Sequence, residues 1–238
     1  MNQKTKTHES IGFIHAFDIN KSFSTGTSKV NILNRVNFSI TEGQFVIILG
    51  HSGSGKTTLL NLLSGLDKPD KGELFVMDHD ITNMPKNELS KWRLINLGIV
   101  FQHFNLFPLM NIVDNVSVPL AFKGISQTQR QKRAKSLLKS FGLVNHFDLL
   151  PSELSGGEQQ KVAIARAIIN NPKIIIADEP TGELDSKQSK DILQLLRRLN
   201  SQNNTTIIMA TNNSDYAHYA DRVIHIFDGH VVGNEVKK

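Results

Sequence analysis

Phe45-Val46-Ile47-Ile48-Leu49, followed by Gly50-His51-Ser52-Gly53-Ser54-Gly55-Lys56-Thr57, is the stretch on which the reading of the whole chain turns. Five consecutive apolar residues that end at a glycine suit a parallel strand buried on both faces. The turn fits the pattern G-x-x-x-x-G-K-[ST], and residues 57–64 after it have the composition of a helix. The glycines let the backbone curl until successive N–H groups point at one anion. The helix that follows turns its positive end toward the same place. Lys56 is long enough to reach β- and γ-phosphates, and Thr57 offers a hydroxyl to Mg²⁺. The alternative is a glycine-rich turn that only joins a strand to a helix, and the complete pattern in this context argues against it. What the pattern specifies is nucleoside triphosphate binding, which kinases, GTPases, helicases and transport ATPases share.

A second apolar run, Ile174-Ile175-Ile176-Ala177, ends in Asp178-Glu179. A buried strand seldom terminates in adjacent acids unless a cation lies beyond them, although a solvated strand end would also accommodate two. Asp178 is suited to hold Mg²⁺ through water, and Glu179 to act on an attacking water as base or orienting acceptor. Pro180 and Thr181 then turn the chain away.

Around these two runs the chain reads as an α/β sheet domain. Residues 11–19, 36–40, 72–77, 173–177, 206–210 and 222–227 have strand patterns, and a Ser/Thr/Gly-rich turn is expected over 22–28. Residues 87–96, 127–141 and 155–169 look helical, and 186–199 is amphipathic with Ile192, Leu195, Leu196 and Leu199 on one face. The expectation is therefore a sheet core interrupted by a helical insert at about 87–170, in a domain over 11–238, with residues 1–10 as a flexible tail.

Composition narrows the class further. Hydrophobic residues make up 39% and charged residues 21% of the 238, as in ordinary globular domains. The apolar runs are far shorter than the roughly 20 residues needed to cross a bilayer, and the polar first ten residues lack the apolar segment of a signal peptide. The chain is thus expected neither to span a membrane nor to be exported. With no cysteine, disulfides and thiolate zinc sites are excluded, and the nine histidines have no metal-type spacing. A net charge of +5 raises nucleic acid or an anionic surface, but its one obvious cluster, Arg130, Lys132, Arg133 and Lys135, reads as a solvated helix face.

Leu154-Ser155-Gly156-Gly157-Glu158 opens the helix over 155–169. Ser155 is a plausible N-cap, and the glycines leave the helix tip bare for close approach of a ligand. An ordinary capped helix start is the plainer reading. Taken with the first loop, however, one chain carries two helix ends fit for phosphate, about a hundred residues apart.

At this point the sequence resembles the ATP-binding cassette (ABC) family, whose signature motif is this LSGG run. The resemblance covers about residues 11–232. It implies an α/β P-loop NTPase sheet core with an N-terminal antiparallel β portion and an inserted helical subdomain. It also implies two copies facing head to tail, so that the signature helix of one closes on ATP held by the loop of the other. In that arrangement Gly50, Ser52, Gly53, Ser54, Gly55, Lys56, Thr57 and Thr58 hold nucleotide, facing Ser155, Gly156 and Gly157. Phe23 falls where the family stacks an aromatic on adenine, a core phenylalanine being the alternative. Gln102, in Phe101-Gln102-His103, matches the glutamine that approaches Mg²⁺ and the attacking water; Leu184-Asp185 matches the loop that crosses the dimer seam. Thr57, Gln102 and Asp178 are then the Mg²⁺ residues.

One position departs from the family pattern. Where the family places a γ-phosphate histidine, this chain has Asn212, in Met209-Ala210-Thr211-Asn212-Asn213. Asparagine donates a hydrogen bond but carries no charge, so slower or differently gated hydrolysis is expected. The segment 101–108, followed by 114–120, is similar to cassettes of lipoprotein-releasing, macrolide-export and antimicrobial-peptide-resistance systems. The implied partners are a second copy and an integral membrane permease subunit, with no nucleic acid, at the inner face of the cell membrane. The aromatic-rich stretch with Phe101, Phe104, Phe107, Leu109 and Met110 suits docking of a partner helix or internal packing. Two rival readings are an ATP-gated regulator of a membrane partner and a soluble ABC ATPase acting on DNA or ribosomes.

Overall fold

The computed structural model describes residues 12–26 and 28–236; the 1–10 tail lies outside them. A long antiparallel hairpin opens the fold, β1 (Ile14–Thr25) against β2 (Ser28–Ile40). β4 (Lys71–Val76) and β5 (His79–Asp80) complete a four-stranded sheet in the order β2-β1-β4-β5. The turn expected over 22–28 is narrower than the sequence suggested. Pairing continues through Ser22↔Asn31, Phe23↔Val30 and Thr25↔Ser28, because a hairpin needs only a short turn, here with Gly26 at φ +62°.

The second sheet has six strands in the order β10-β9-β3-β8-β7-β6. β3 (Phe45–Leu49), β6 (Leu97–Val100), β7 (Ile174–Asp178), β8 (Thr206–Thr211) and β9 (Arg222–Phe227) run parallel, and β10 (His230–Val236) closes one edge antiparallel. Alternation along these strands sorts side chains to two faces. Val46, Ile48, Ile174, Ile176, Ile208 and Ile224 pack with α1 (Lys56–Leu63) and the four-stranded sheet. Phe45, Ile47, Ile175, Ala177, Ile207 and Met209 pack with α5 (Gly156–Ile168) and α6 (Ser186–Asn203). Both faces are covered, which is why these strands read as continuous apolar runs.

A third core joins α3 (Ile112–Phe122), α4 (Gln127–Ser140) and the outer face of α5 through Ile112, Val116, Leu120, Leu138, Val162 and Ala165. This helical lobe is shorter than the 87–170 insert expected from the sequence. α2 (Lys86–Asn96) runs directly into β6, which pairs with β7 as the edge of the main sheet, so the self-packed lobe begins only after Val100. Lys132, Arg133 and Lys135 of α4 are exposed, but Arg130, expected on the same solvated face, is partly buried with its Nε shielded from solvent.

Candidate active site

In a parallel sheet the loops that leave neighbouring carboxyl ends share one edge, and ligands bind there. Here β3, β8, β7 and β6 are successive neighbours. The registers Leu49↔Thr211, Asp178↔Ala210 and Val100↔Ala177 bring residues 50–57, Asn212, Asp178–Glu179 and Gln102 to that edge.

The 50–57 loop is shaped by contacts only glycine permits. A Cβ on Gly50 would lie 2.4 Å from Ile226 O and 2.6 Å from Ser54 Oγ; Gly55, at φ +102°, would bring one within 3.0 Å of Ile32 O. Gly53, at φ +80°, faces open space. Ser54 N–H donates to His51 O (3.2 Å), closing the turn, while its buried hydroxyl has no hydrogen-bond partner. Lys56 begins α1 and is only 5% exposed. Its ammonium donates to Gly50 O and His51 O, both at 3.0 Å, and lies 3.5 Å from Glu179 Oε1. A buried cation held by two carbonyls of a glycine-rich loop at the head of a helix is the constellation that a phosphate chain completes.

Asp178 ends β7 with Oδ1 buried and unpartnered. Burial pushes its carboxyl above the ordinary carboxylate value; the Thr57 hydroxyl opposes this, the Glu179 charge adds to it, and Lys56 opposes it weakly. A half-buried carboxylate with an open oxygen beside a threonine hydroxyl is the donor set of a hard, hydrated divalent cation. Glu179 has φ +43° and donates its N–H to Ala210 O at 3.0 Å. That left-handed backbone, sparsely populated for a residue with a side chain, turns the chain away from the strand axis at the site. Gln102 lies against Gly182, where a Cβ would stand 3.1 Å from Gln102 Nε2 and 3.4 Å from Glu179 O. Asn212 is exposed directly after Thr211, whose carbonyl accepts from Gly50 N–H at 3.3 Å.

The remaining sequence-derived residues stand on other elements. Phe23, on β1, is 46% exposed with Lys21 Nζ 5.1 Å from its ring centroid, so it is not a core residue. Ser155 is the N-cap of α5, and both its N–H (2.9 Å) and its hydroxyl (2.7 Å) donate to Glu158. The Ser155 hydroxyl, then its N–H, hold the Glu158 carboxyl below the usual range. Gly156 and Gly157 pack under Leu184 and Gln188, so the glycines keep the tip of α5 close to the start of α6. Asp185 caps α6, its carboxylate accepting from Gln188 N–H at 2.8 Å.

Sequence reasoning missed three links. His51 Nε2 lies 3.3 Å from Asp228, and its ring meets Phe227 edge-on at 5.1 Å, fastening the loop to the β9–β10 turn. His103 pairs with Glu183, joining the segment after Gln102 to the segment after Glu179. Arg166 of α5 donates to Phe104 O and Asn105 O. None has a linear signature, because each depends on which strand ends become neighbours.

Comparison with known proteins agrees with this geometry. The ABC transporter family pattern matches residues 33–182. The ABC transporter ATP-binding protein MJ0796 of Methanocaldococcus jannaschii is 44% identical over 222 residues, 92% of this chain and 94% of that protein. The macrolide export ATP-binding/permease protein MacB of Shewanella sp. (strain ANA-3) is 42% identical over 90% of this chain, which spans only 33% of that longer protein. Among solved structures, a dimeric post-hydrolysis state of the MJ0796 cassette bound to ADP and Pi superposes with a TM-score of 0.88 at 41% identity, covering 94% of this chain and 99% of that one. CbiO1 of Clostridium perfringens, part of the cbiONQ transporter complex, gives 0.84 at 30% identity, covering 95% and 89%. With the family pattern over more than half of the chain and a relative 44% identical along nearly its full length, the assignment is plain: this chain belongs to the ABC transporter family, as an ATP-binding cassette that hydrolyses ATP.

Proposed function

We propose that two copies of this chain close head to tail on two ATP molecules and that closure drives an attached membrane partner, in export or in extraction from the membrane. The observation that carries this reading is that one chain has two glycine-lined helix starts on different elements, at the heads of α1 and α5. The 50–57 loop joins β3 to α1, whereas Ser155–Gly157 start α5, with Glu158, Leu184 and Gln188 against them. A nucleotide clamped by both tips is then shared between copies. The dimeric MJ0796 structures support the pairing, and the MacB relatives, named ATP-binding/permease proteins, support the membrane partner.

In this reading the loop amides and Lys56 hold the phosphates, and Phe23 stacks on the base. Glu179 accepts a proton from, or orients, the attacking water, with Gln102 beside it. Ser155–Gly157 from the opposite copy complete the cage around the γ-phosphate. Thr57 and, through water, Asp178 and Gln102 would hold Mg²⁺, which when bound neutralises charge on the β- and γ-oxygens. Among the described residues no cluster of three or more His, Asp or Glu forms a metal cage; an ion held by phosphates, waters and one or two protein oxygens needs none. ATP favours the closed pair by its extra contacts there, and hydrolysis reopens it.

The partner's seat in this proposal is a groove of about 450 Å³ lined by Leu94, Phe101, Phe107, Val118, Pro119 and Phe122, beside Leu109, which is 92% exposed. Among the described residues no helix is long and apolar enough to cross a membrane; in this proposal the membrane-spanning part belongs to the partner, as the name of the longer MacB relatives suggests, and the cassette docks at the inner membrane face. Complementation tests the shared site. Lys56→Met and Ser155→Arg copies each lack turnover alone, but a mixed pair contains one site with both tips intact. Recovery of ATP hydrolysis on mixing is expected; none at any mixing ratio would sink the head-to-tail assignment.

Asn212 favours a variant of this reading, in which the cassette is a slow, ATP-gated regulator of its membrane partner. Asn212→His restores an imidazole at the rim beside Gly50 and is expected to raise turnover by more than about twofold, roughly 0.4 kcal/mol of barrier. Steady-state phosphate release checks it, and an unchanged rate would remove Asn212 from the account of hydrolysis.

A further inference from the structure

We infer that Arg166, near the carboxyl end of α5, is a positioning residue for hydrolysis: it holds residues 104–105 in a strained backbone conformation and thereby sets the position of Gln102. Phe104 and Asn105 stand at φ +57° and +50°. The left-handed region is disfavoured for an L-residue by contact of Cβ with the backbone, is unusual for phenylalanine, and persists only where surrounding contacts over-determine it. Arg166 supplies those contacts. Nη1 donates to Asn105 O at 2.6 Å and Nη2 to Phe104 O at 2.9 Å, while the guanidinium carbon lies 6.0 Å from the Phe107 ring centroid. One planar fork thus satisfies two consecutive carbonyls, a geometry that the single ammonium of lysine does not reproduce.

The strained pair follows immediately on the catalytic segment. Gln102 packs against Gly182, and His103 pairs with Glu183, on the loop that leaves Glu179. Residues 102–105 therefore form a short strap, fastened to the hydrolysis loop at one end and to the signature helix at the other. Burial lowers the Arg166 pKa from the ordinary guanidinium value, and both of its hydrogen bonds run to carbonyl oxygens rather than to a carboxylate. Arg166 also lines the groove in which we seat the partner, so a side chain entering that groove meets the group that holds the strap. This inference rests on the proposed role of Gln102 in hydrolysis.

The experiment uses the full-length chain with Arg166→Met, which keeps an unbranched stem but removes both donors, and Arg166→Lys, which keeps the charge. ATP kcat and KM are measured together with hydrogen–deuterium exchange of the 103–107 amides. Arg166→Met is expected to lower kcat about tenfold or more with KM for ATP within about twofold, and to speed exchange at 103–107 while the 50–57 loop keeps its protection. Arg166→Lys falls between, and it decides the matter should Arg166→Met fold poorly. Combined with Gln102→Ala, Arg166→Met adds no further loss, because both changes remove the same interaction. Losses that multiply, a change confined to KM, or unaltered exchange at 103–107 would each overturn the inference. Should the parent chain hydrolyse no faster than Glu179→Gln, the functional reading falls instead, and exchange at 103–107 still decides whether Arg166 holds the strap.

Discussion

Glu179→Gln is expected to lower ATP turnover at least about a hundredfold, the lower range of general-base contributions, while turning Mg–ATP into a stable cross-link between two copies. The substitution keeps side-chain length and shape, so the left-handed turn at φ +43° and the N–H bond to Ala210 O persist. What disappears is a negative charge 3.5 Å from Lys56 Nζ. Two consequences follow with opposite signs. The attacking water loses its proton acceptor, which slows the chemical step. The γ-phosphate loses a like-charged neighbour and no longer shares Lys56 with a carboxylate, which strengthens ATP in the closed state. Phosphate release reads the first and light-scattering mass with and without Mg–ATP reads the second. A variant that stays monomeric with saturating Mg–ATP would contradict the shared site, and one that keeps its turnover would contradict the assignment of Glu179.

Much of the fold is legible because the strands that carry the chemistry are buried on both faces and written as unbroken apolar runs. Phe45–Leu49, Ile174–Asp178 and Thr206–Thr211 each end at a site residue or next to one. What escaped the sequence did so for local physical reasons. β6 is four residues long and starts with no turn after α2. Its Gly98 looks like a breaker, yet a Cβ there would lie 2.5 Å from Ala167 O, so the glycine is required by the close passage of α5 over the strand. In α3 the apolar stripe of Ile112, Val113, Val116 and Leu120 is disguised by Pro119 and by buried Asn115. Asn115 serves a tertiary purpose instead, accepting from Phe107 N–H and donating to Phe107 O and Met110 O, which pins the exposed 107–110 loop.

The site divides along the same line. Residues within one motif, such as Lys56 or Glu179, are legible because their spacing along the chain is their geometry. The Arg166, His103 and His51 links join segments that meet only through strand order and lobe packing, and no periodicity announces them. The basic run of α4 divides for a related reason: Ala134 and Leu138 face the lobe core and leave Lys132, Arg133 and Lys135 to solvent, whereas Arg130 is partly buried.

Lys56→Met is expected to weaken ATP binding and hydrolysis about a hundredfold or more while moving the melting temperature of the nucleotide-free chain by only a few degrees. Removing one preorganised donor to developing charge costs on the order of 10²–10³ in rate. Lys56 is moreover the charged donor placed inside the loop's own curve, within 3.0 Å of two loop carbonyls. Its value to the empty fold is far smaller. An ammonium at 5% exposure has lost most of its hydration, and two carbonyls with a carboxylate at 3.5 Å offset that loss without a clear surplus. Methionine keeps an unbranched stem of similar length in the same buried place, and Glu179, the more exposed member of the pair, regains water in exchange for its partner. The two measurements therefore separate. Nucleotide affinity, by titration of a fluorescent ATP analogue, should collapse; thermal unfolding without nucleotide should hardly change. If the melting point fell by ten degrees or more with affinity intact, Lys56 would be a structural bolt of the loop, and the phosphate-binding role would have to pass to the backbone amides alone.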